Sequence, residues 1–303
     1  MIEERAYHTS VLLEASIEGL NIKPNGIYVD VTYGGGGHSK AILNNLQGGH
    51  LIAFDQDSDA EANLVNNERF TFVNNNFKYL KNFLRYHKFN SVDGILADLG
   101  ISSYQIDNVK RGFTIRDDSA LLDMRMDKTQ SLTAEYILNN YDETIIYRIL
   151  KNYGELKEAK MIANRICNYR KTGTIKTVLD IKNSMGNFHK VNDAKFLAKI
   201  FQALRIEVNN ELESLQEFLL QAKEMLKPSG RLVVISYHSL EDRLVKNFMR
   251  YGAFEESTEN FSLYTNNTSC FKAITKKAIQ PDDNEIFANN RSRSAKLRIC
   301  EKL

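Results

Sequence analysis

Apolar residues in the first hundred positions come as short continuous runs, and the runs alternate with segments of helical character. Gly26–Val31 (GIYVDV) reads as a buried strand, followed at once by the glycines Gly34–Gly37 and a helical stretch from Ser39 to Leu46. His50–Phe54 (HLIAF) is a second strand ending in Asp55, Phe70–Val73 a third and Val92–Leu99 (VDGILADL) a fourth. Between them lie a polar helix over Asp59–Asn67, with Asp59 as its expected N-cap, and an amphipathic helix over Phe77–Tyr86. Strands separated by helical patterns imply βαβ units and a parallel sheet.

From about Gln105 to Leu204 the strand pattern stops. Ser131–Asn139, Glu143–Tyr153, Lys157–Lys171 and Asp193–Leu204 read as helices. A long helix is expected over Glu207–Leu226, then a turn at Lys227-Pro228-Ser229-Gly230, and Arg231–Ser236 (RLVVIS) resumes the sheet as a fifth strand. Leu240–Tyr251 is helical. Phe254–Asn290 is polar and irregular apart from a short strand at Cys270–Thr275, and Ala295–Glu301 (AKLRICE) alternates as a last strand. The expected organisation is a discontinuous α/β domain, residues 1–104 and 205–303, with a helical insertion at residues 105–204.

Composition narrows the chemistry. The chain has 303 residues, 43% hydrophobic, and a formal net charge of +2, so it can bury a sizeable core and is no polycation. Binding to nucleic acid would have to come from local clusters of Lys and Arg. No stretch is apolar enough to span a bilayer, and Met1–Ser10 carries acids where a signal peptide has an apolar core. Cys167, Cys270 and Cys300 are odd in number and scattered, which fits reduced thiols in a cytoplasm; neither they nor the six histidines show metal spacing.

Four clusters carry candidate chemistry. Asp30-Val31-Thr32-Tyr33-Gly34-Gly35-Gly36-Gly37-His38 follows the first strand directly, where α/β sheets bind nucleotides on a glycine turn and a helix N-terminus. Asp55, at the end of the second strand, matches the ribose-binding acid of such folds, with Asp57 as a rival. The dinucleotide fingerprint would need Ser39 as its third small residue, so a nicotinamide enzyme stays open beside a methyltransferase. Asp98, with Ser102 and Ser103, closes the fourth strand, where a carboxylate can accept hydrogen bonds from an amine; the serines could equally cap a helix. Ser236-Tyr237-His238-Ser239-Leu240-Glu241-Asp242-Arg243 places His238 over the same sheet edge. Arg291, Arg293, Lys296 and Arg298 form a dense basic run, either a solvated tail or a phosphate-contacting patch.

Assembled, these residues resemble the RsmH (MraW) family of ribosomal RNA cytosine-N4 methyltransferases over nearly the whole length. The similarity includes Tyr7–Leu13, the Gly34–His38 loop, Asp93–Ser103, Arg111-Gly112-Phe113, Leu122–Asp127, Tyr153-Gly154-Glu155, Gln202–Asn209, His238–Arg243 and Arg293–Arg298. Tyr104 stands where proline is commonest, and Asp117–Leu121 lacks the usual proline and is one residue longer. The resemblance implies a Rossmann-like S-adenosylmethionine-dependent methyltransferase fold, a doubly wound, mostly parallel sheet with an inserted all-helical domain that recognises substrate. It implies S-adenosylmethionine as cofactor, contacted by Gly36, Gly37, His38, Asp55, Phe77, Asp98 and Gln105, with its methionine end near Gly34. It also implies 16S rRNA of the small ribosomal subunit as partner and no membrane; a homodimer stays open. Asp98 would orient the N4 amino group, and His238, Ser102 and Ser103 are the other catalytic candidates. A methyltransferase of DNA or another acceptor, and a non-catalytic RNA-binding assembly factor, are the rival readings.

Overall fold

The four apolar runs of the first hundred residues form β1 (Ile27–Asp30), β2 (His50–Asp55), β3 (Phe70–Asn74) and β4 (Val92–Asp98) in a computed structural model that describes residues 10–254 and 270–303. The Tyr7-His8-Thr9 stretch lies outside the described residues. With β5 (Leu226–Ser236), β6 (Phe271–Ala273) and β7 (Lys296–Lys302) they make a seven-stranded sheet ordered β3-β2-β1-β4-β5-β7-β6. The first five strands in that order run parallel; β7 runs antiparallel to both of its neighbours, β5 and β6. The runs are continuous rather than alternating because both faces are covered. Val29, Ile52, Phe54 and Ile95 pack on one face, and Tyr28, Leu51, Leu96 and Val233 on the other, all essentially without exposure.

The described residues divide into two compact units: those up to Gly100 together with Leu212–Leu303, and Ile101–Glu211. In the sheet unit, α1 (Leu13–Leu20) and α2 (Gly37–Asn45) contribute Leu20, Ile42 and Leu43 to one core. The opposite core receives Leu80 and Leu84 from α3 (Leu80–Tyr86). The second unit holds α4 (Ser103–Asp107), α5 (Ala134–Asn140), α6 (Glu143–Asn152), α7 (Ala159–Tyr169), α8 (Val178–Met185) and α9 (Ala194–Asn209). Its own core includes Ile137, Ile146, Leu150, Ile162, Ile181, Ile200 and Leu204. The chain returns through α10 (Glu211–Met225) and α11 (Ser239–Tyr251), which bury Phe218 and Phe248 against the sheet, and α12 (Asp283–Ala288) precedes β7.

The mostly parallel, helix-flanked sheet is the architecture expected; several local readings are corrected. The long helix over Glu207–Leu226 is two helices, because Asn210 adopts the left-handed conformation (φ 49°, ψ 44°) and ends α9. The polar helix over Asp59–Asn67 is a short 3₁₀ turn, Ser58–Asn63, capped by Asp57 rather than Asp59. The turn at Lys227–Gly230 lies inside β5 as a bulge: Leu226 pairs with Val92, the next pairing is Arg231 with Gly94, and Ser229 takes φ 64°. α1, α8 and α12 are additions. The division between units falls at Gly100 and Glu211, earlier and later than the expected boundaries, since α9 carries its apolar face through Val208 into the helical core.

The strand order reverses at β1, with β2 and β3 to one side and β4 and β5 to the other. Such a reversal opens a crevice at the carboxyl ends of the two strands that flank it, here β1 and β4.

Candidate active site

The loop leaving β1 is anchored by Asp30. Its carboxylate, fully buried, accepts from the Thr32 N–H (3.1 Å) and from the Ser39 hydroxyl (2.6 Å), tying the loop's start to the first turn of α2. Burial pushes the Asp30 carboxyl up, against the pull of His38 and these donors. Between these anchors Gly34 takes φ 51° and Gly36 φ 76°, which side chains rarely adopt. A Cβ at Gly36 would strike the Tyr33 hydroxyl at 2.8 Å, whereas one at Gly34 or Gly35 would meet nothing within 4 Å among the described residues. Among the described residues, space is open above Gly34 and Gly35. Gly36, the N-cap of α2, offers no side-chain cap, so the first-turn N–H groups of α2 suit an anion.

Asp55 ends β2 and turns to this loop. One carboxylate oxygen accepts from Gly34 N–H (2.8 Å), the other from Asp57 N–H (2.8 Å). Each oxygen keeps a lone pair, so the group can still accept from a diol. Burial pushes its carboxyl up to about 6, opposed by those two N–H groups. Asp57 turns away, accepting from Asp59 N–H as a cap. Phe77, half-buried, begins the turn after β3 with its ring 5.4 Å from that of Phe218. Space over the glycines, an uncapped helix start and a diol acceptor on one sheet edge fit an adenosyl amino acid.

At the carboxyl end of β4, Thr32 Oγ1 accepts from the Asp98 N–H (2.7 Å), locking β4 to the loop after β1. Asp98 Oδ1 accepts from the Tyr237 hydroxyl (2.8 Å), while Oδ2 lies 3.7 Å from His38 Nδ1. The Asp98 side chain is 21% exposed and that of His38 is 6% exposed. Burial pushes the Asp98 carboxyl up to about 6, with Asp30 and Glu241 adding to the rise and His38 and the Tyr237 hydroxyl opposing it. The sheet unit thus brings together Gly34, Gly36, Gly37, His38, Asp55 and Asp98. Tyr237, quoted with its neighbours in the sequence but given no role there, is the residue that reasoning missed; its position beside His238 at the end of β5 was the signal.

His238 is placed differently from a free imidazole. Its Nδ1 accepts from the Glu241 N–H as the N-cap of α11, and Glu241 reaches back to the N–H groups of Tyr237 and His238. Ser102, Ser103 and Gln105 belong to the helical unit. There Ser102 and Gln105 form a capping box at the start of α4: the Gln105 N–H donates to Ser102 Oγ and the Ser102 N–H to Gln105 Oε1. In the basic run, Lys296 and Arg298 both bind Asp242, at 3.2 and 2.7 Å, whereas Arg293 is exposed and Arg291 half-buried. Lys296 and Arg298 thus share one carboxylate within the sheet unit.

A family model described as the MraW methylase family matches residues 5–303. A curated protein of Bacteroides thetaiotaomicron named ribosomal RNA small subunit methyltransferase H is 52% identical over 304 residues, covering 99% of both chains. One of the same name from Flavobacterium johnsoniae is 53% identical over 300 residues, covering 98% of both. Among solved structures, an rRNA methylase of Streptococcus thermophilus aligns over 97% of this chain and 98% of that one, with a TM-score of 0.44 and 12% identity.

Proposed function

We propose, since this chain belongs to the MraW methylase family, that it transfers a methyl group from S-adenosylmethionine to the exocyclic N4 of a cytidine in 16S rRNA of the small ribosomal subunit, in the cytoplasm. The observation that carries the reading is Asp98: a half-buried carboxylate at the carboxyl end of β4, with one oxygen held by Tyr237 and the other turned toward His38 at the crevice. The name shared by the curated relatives supports the rRNA substrate.

In this reading the Gly34, Gly36 and Gly37 backbone and the uncapped start of α2 hold the amino-acid end of the cofactor. Asp55 accepts from the ribose hydroxyls and Phe77 packs on the adenine. When bound, S-adenosylmethionine supplies a methyl on a sulfonium leaving group. The acceptor is a weak nucleophile because its lone pair is conjugated into the pyrimidine. Asp98 accepts a hydrogen bond from the amine, which fixes its orientation and favours the nitrogen as it becomes tetrahedral; positioning of this kind supplies much of the acceleration. The cytidine leaves its stack to enter the crevice. Exposed cations, Arg293 among them, contact the surrounding phosphates.

The test is single-turnover transfer of labelled methyl to small-subunit particles at saturating cofactor. Asp98→Ala is expected to lower the rate about a hundredfold or more, a cost of roughly 2.7 kcal/mol, with a smaller loss of cofactor affinity. A variant within a few-fold of wild type removes Asp98 from this role. Wild-type protein that binds the cofactor but labels neither particle nor RNA would instead make the chain a binding factor.

A further inference from the structure

The Asp98 carboxylate and the His38 imidazole meet at a distance that fits neither a hydrogen bond nor an unrelated pair. His38 stands in the first turn of α2 and is buried. Its Nε2 lies 3.1 Å from the Val11 carbonyl oxygen. A carbonyl oxygen only accepts, so Nε2 carries a hydrogen and donates it. In the neutral ring the lone pair is then on Nδ1, the atom that faces Asp98 Oδ2 at 3.7 Å. Two acceptors aimed at one another across that gap are too far apart for a direct bond and repel. A donor with two hydrogens resolves this: a nitrogen about 2.9–3.0 Å from each, the ordinary N–H···acceptor length, spans two acceptors at that separation. An exocyclic amine is such a donor.

We propose that His38 Nδ1 is the second acceptor for the substrate amine, beside Asp98 Oδ2, and that it takes the proton which the methylated nitrogen releases. This rests on the amine-methylating function proposed above. The nitrogen lone pair forms the N–C bond, and the electron pair of the breaking C–S bond leaves with sulfur. The nitrogen, now carrying a methyl group, two hydrogens and a positive charge, gives one proton to the Nδ1 lone pair. The product is a neutral methylamino group and an imidazolium facing the Asp98 carboxylate, which passes its proton to water when product leaves. Among the described residues, the titratable groups around the His38–Asp98 pair are Asp30 on β1, and Tyr237 and Glu241 at the corner between β5 and α11. Tyr237 already occupies Asp98 Oδ1, which leaves Oδ2 as the oxygen turned to His38.

Two substitutions in the full chain separate this role from a structural one. An asparagine amide places an oxygen near the position of Nδ1 and can accept but cannot take a proton; a glutamine amide reaches the position of Nε2 and can keep the bond to Val11. His38→Asn is expected to retain substrate KM within a few-fold and to lose about a hundredfold or more in the single-turnover rate, the ordinary contribution of a positioned base. Its rate should also lose part of the wild-type dependence on pH. His38→Gln is expected to lose rate as well at saturating cofactor. If His38→Gln instead restores wild-type rate, the tie to Val11 is all that the histidine provides and the proposal is overturned. Independently of any variant, nitrogen NMR of the histidine-labelled wild-type protein, assigned through the backbone, should show neutral His38 with its hydrogen on Nε2; the other tautomer overturns the proposal. Failure of the functional reading looks different: wild-type protein would then label no small-subunit particle at all.

Discussion

Burial holds the Asp98 carboxyl at about 6, above its ordinary value. Between about pH 4 and 6 the folded chain keeps a proton there that the unfolded chain has already lost. Protonation therefore favours the fold, a contribution fully present below about pH 4 and gone once the pH has risen through 6. At neutral pH the carboxylate is held at a cost. Asp98→Asn removes the charge and keeps an oxygen for the Tyr237 hydroxyl. Its urea midpoint at pH 8 should correspond to a stability gain of about 1–3 kcal/mol, shrinking toward zero near pH 4, while methyl transfer falls. A variant no more stable than wild type at pH 8 would show that solvent at this partly exposed side chain relieves the charge.

α9 owes its end to a backbone break at Asn210, and the residue before it secures the helical unit from within. Asn209, buried, donates from Nδ2 to the carbonyls of Met124 (2.8 Å) and Arg205 (2.9 Å), and its Oδ1 accepts from the Met126 N–H (2.8 Å). Gln202, two turns earlier, donates to the Tyr153 carbonyl at 2.8 Å, and Arg205 grips both oxygens of Glu211. The stretch Gln202–Asn209 is thus a row of side chains that satisfy the backbone of irregular segments packed beside the helix. Asn209→Ala would orphan at least two buried backbone groups at about 1–3 kcal/mol each. A loss of about 2–4 kcal/mol is expected in urea unfolding followed by far-ultraviolet circular dichroism; a change below 1 kcal/mol would mean that water replaces the amide.

Charge is unevenly distributed over the whole chain. The excess of Lys and Arg over Asp and Glu lies in residues 101–211, whereas the sheet unit has a slight acidic excess. In the carboxyl-terminal basic run, Lys296 and Arg298 are drawn to Asp242. Arg298 and Asp242 are each 14% exposed in their side chains and bonded at 2.7 Å. Arg298→Ala should destabilise the protein by about 1–3 kcal/mol, the cost of losing a charge-assisted hydrogen bond while Lys296 still pairs with Asp242. Arg293→Ala, on the surface, should leave stability within about 0.5 kcal/mol and reduce the salt slope of RNA binding by about 0.7–0.9. Equal effects of the two substitutions on stability would contradict this division of the run.

Along the chain, composition and spacing determined the strands, the glycine loop and the acids that end β2 and β4. Each of these depends on a local property: a run of apolar residues wide enough to be covered on both faces, glycine's access to positive φ, or the placement of a short acid at a strand end. The quoted stretches likewise carried the family. Tertiary structure decided what the polar side chains do. Tyr237 reaches an acid 139 residues away, and Arg298 and Lys296 meet Asp242 across more than fifty. His238, which sequence put over the sheet edge, spends Nδ1 on the start of its own helix, while His38 directs its imidazole at Asp98. A side chain's donors and acceptors go to whichever partners burial brings within about 3 Å, and that pairing is a property of the packed chain rather than of any segment of it.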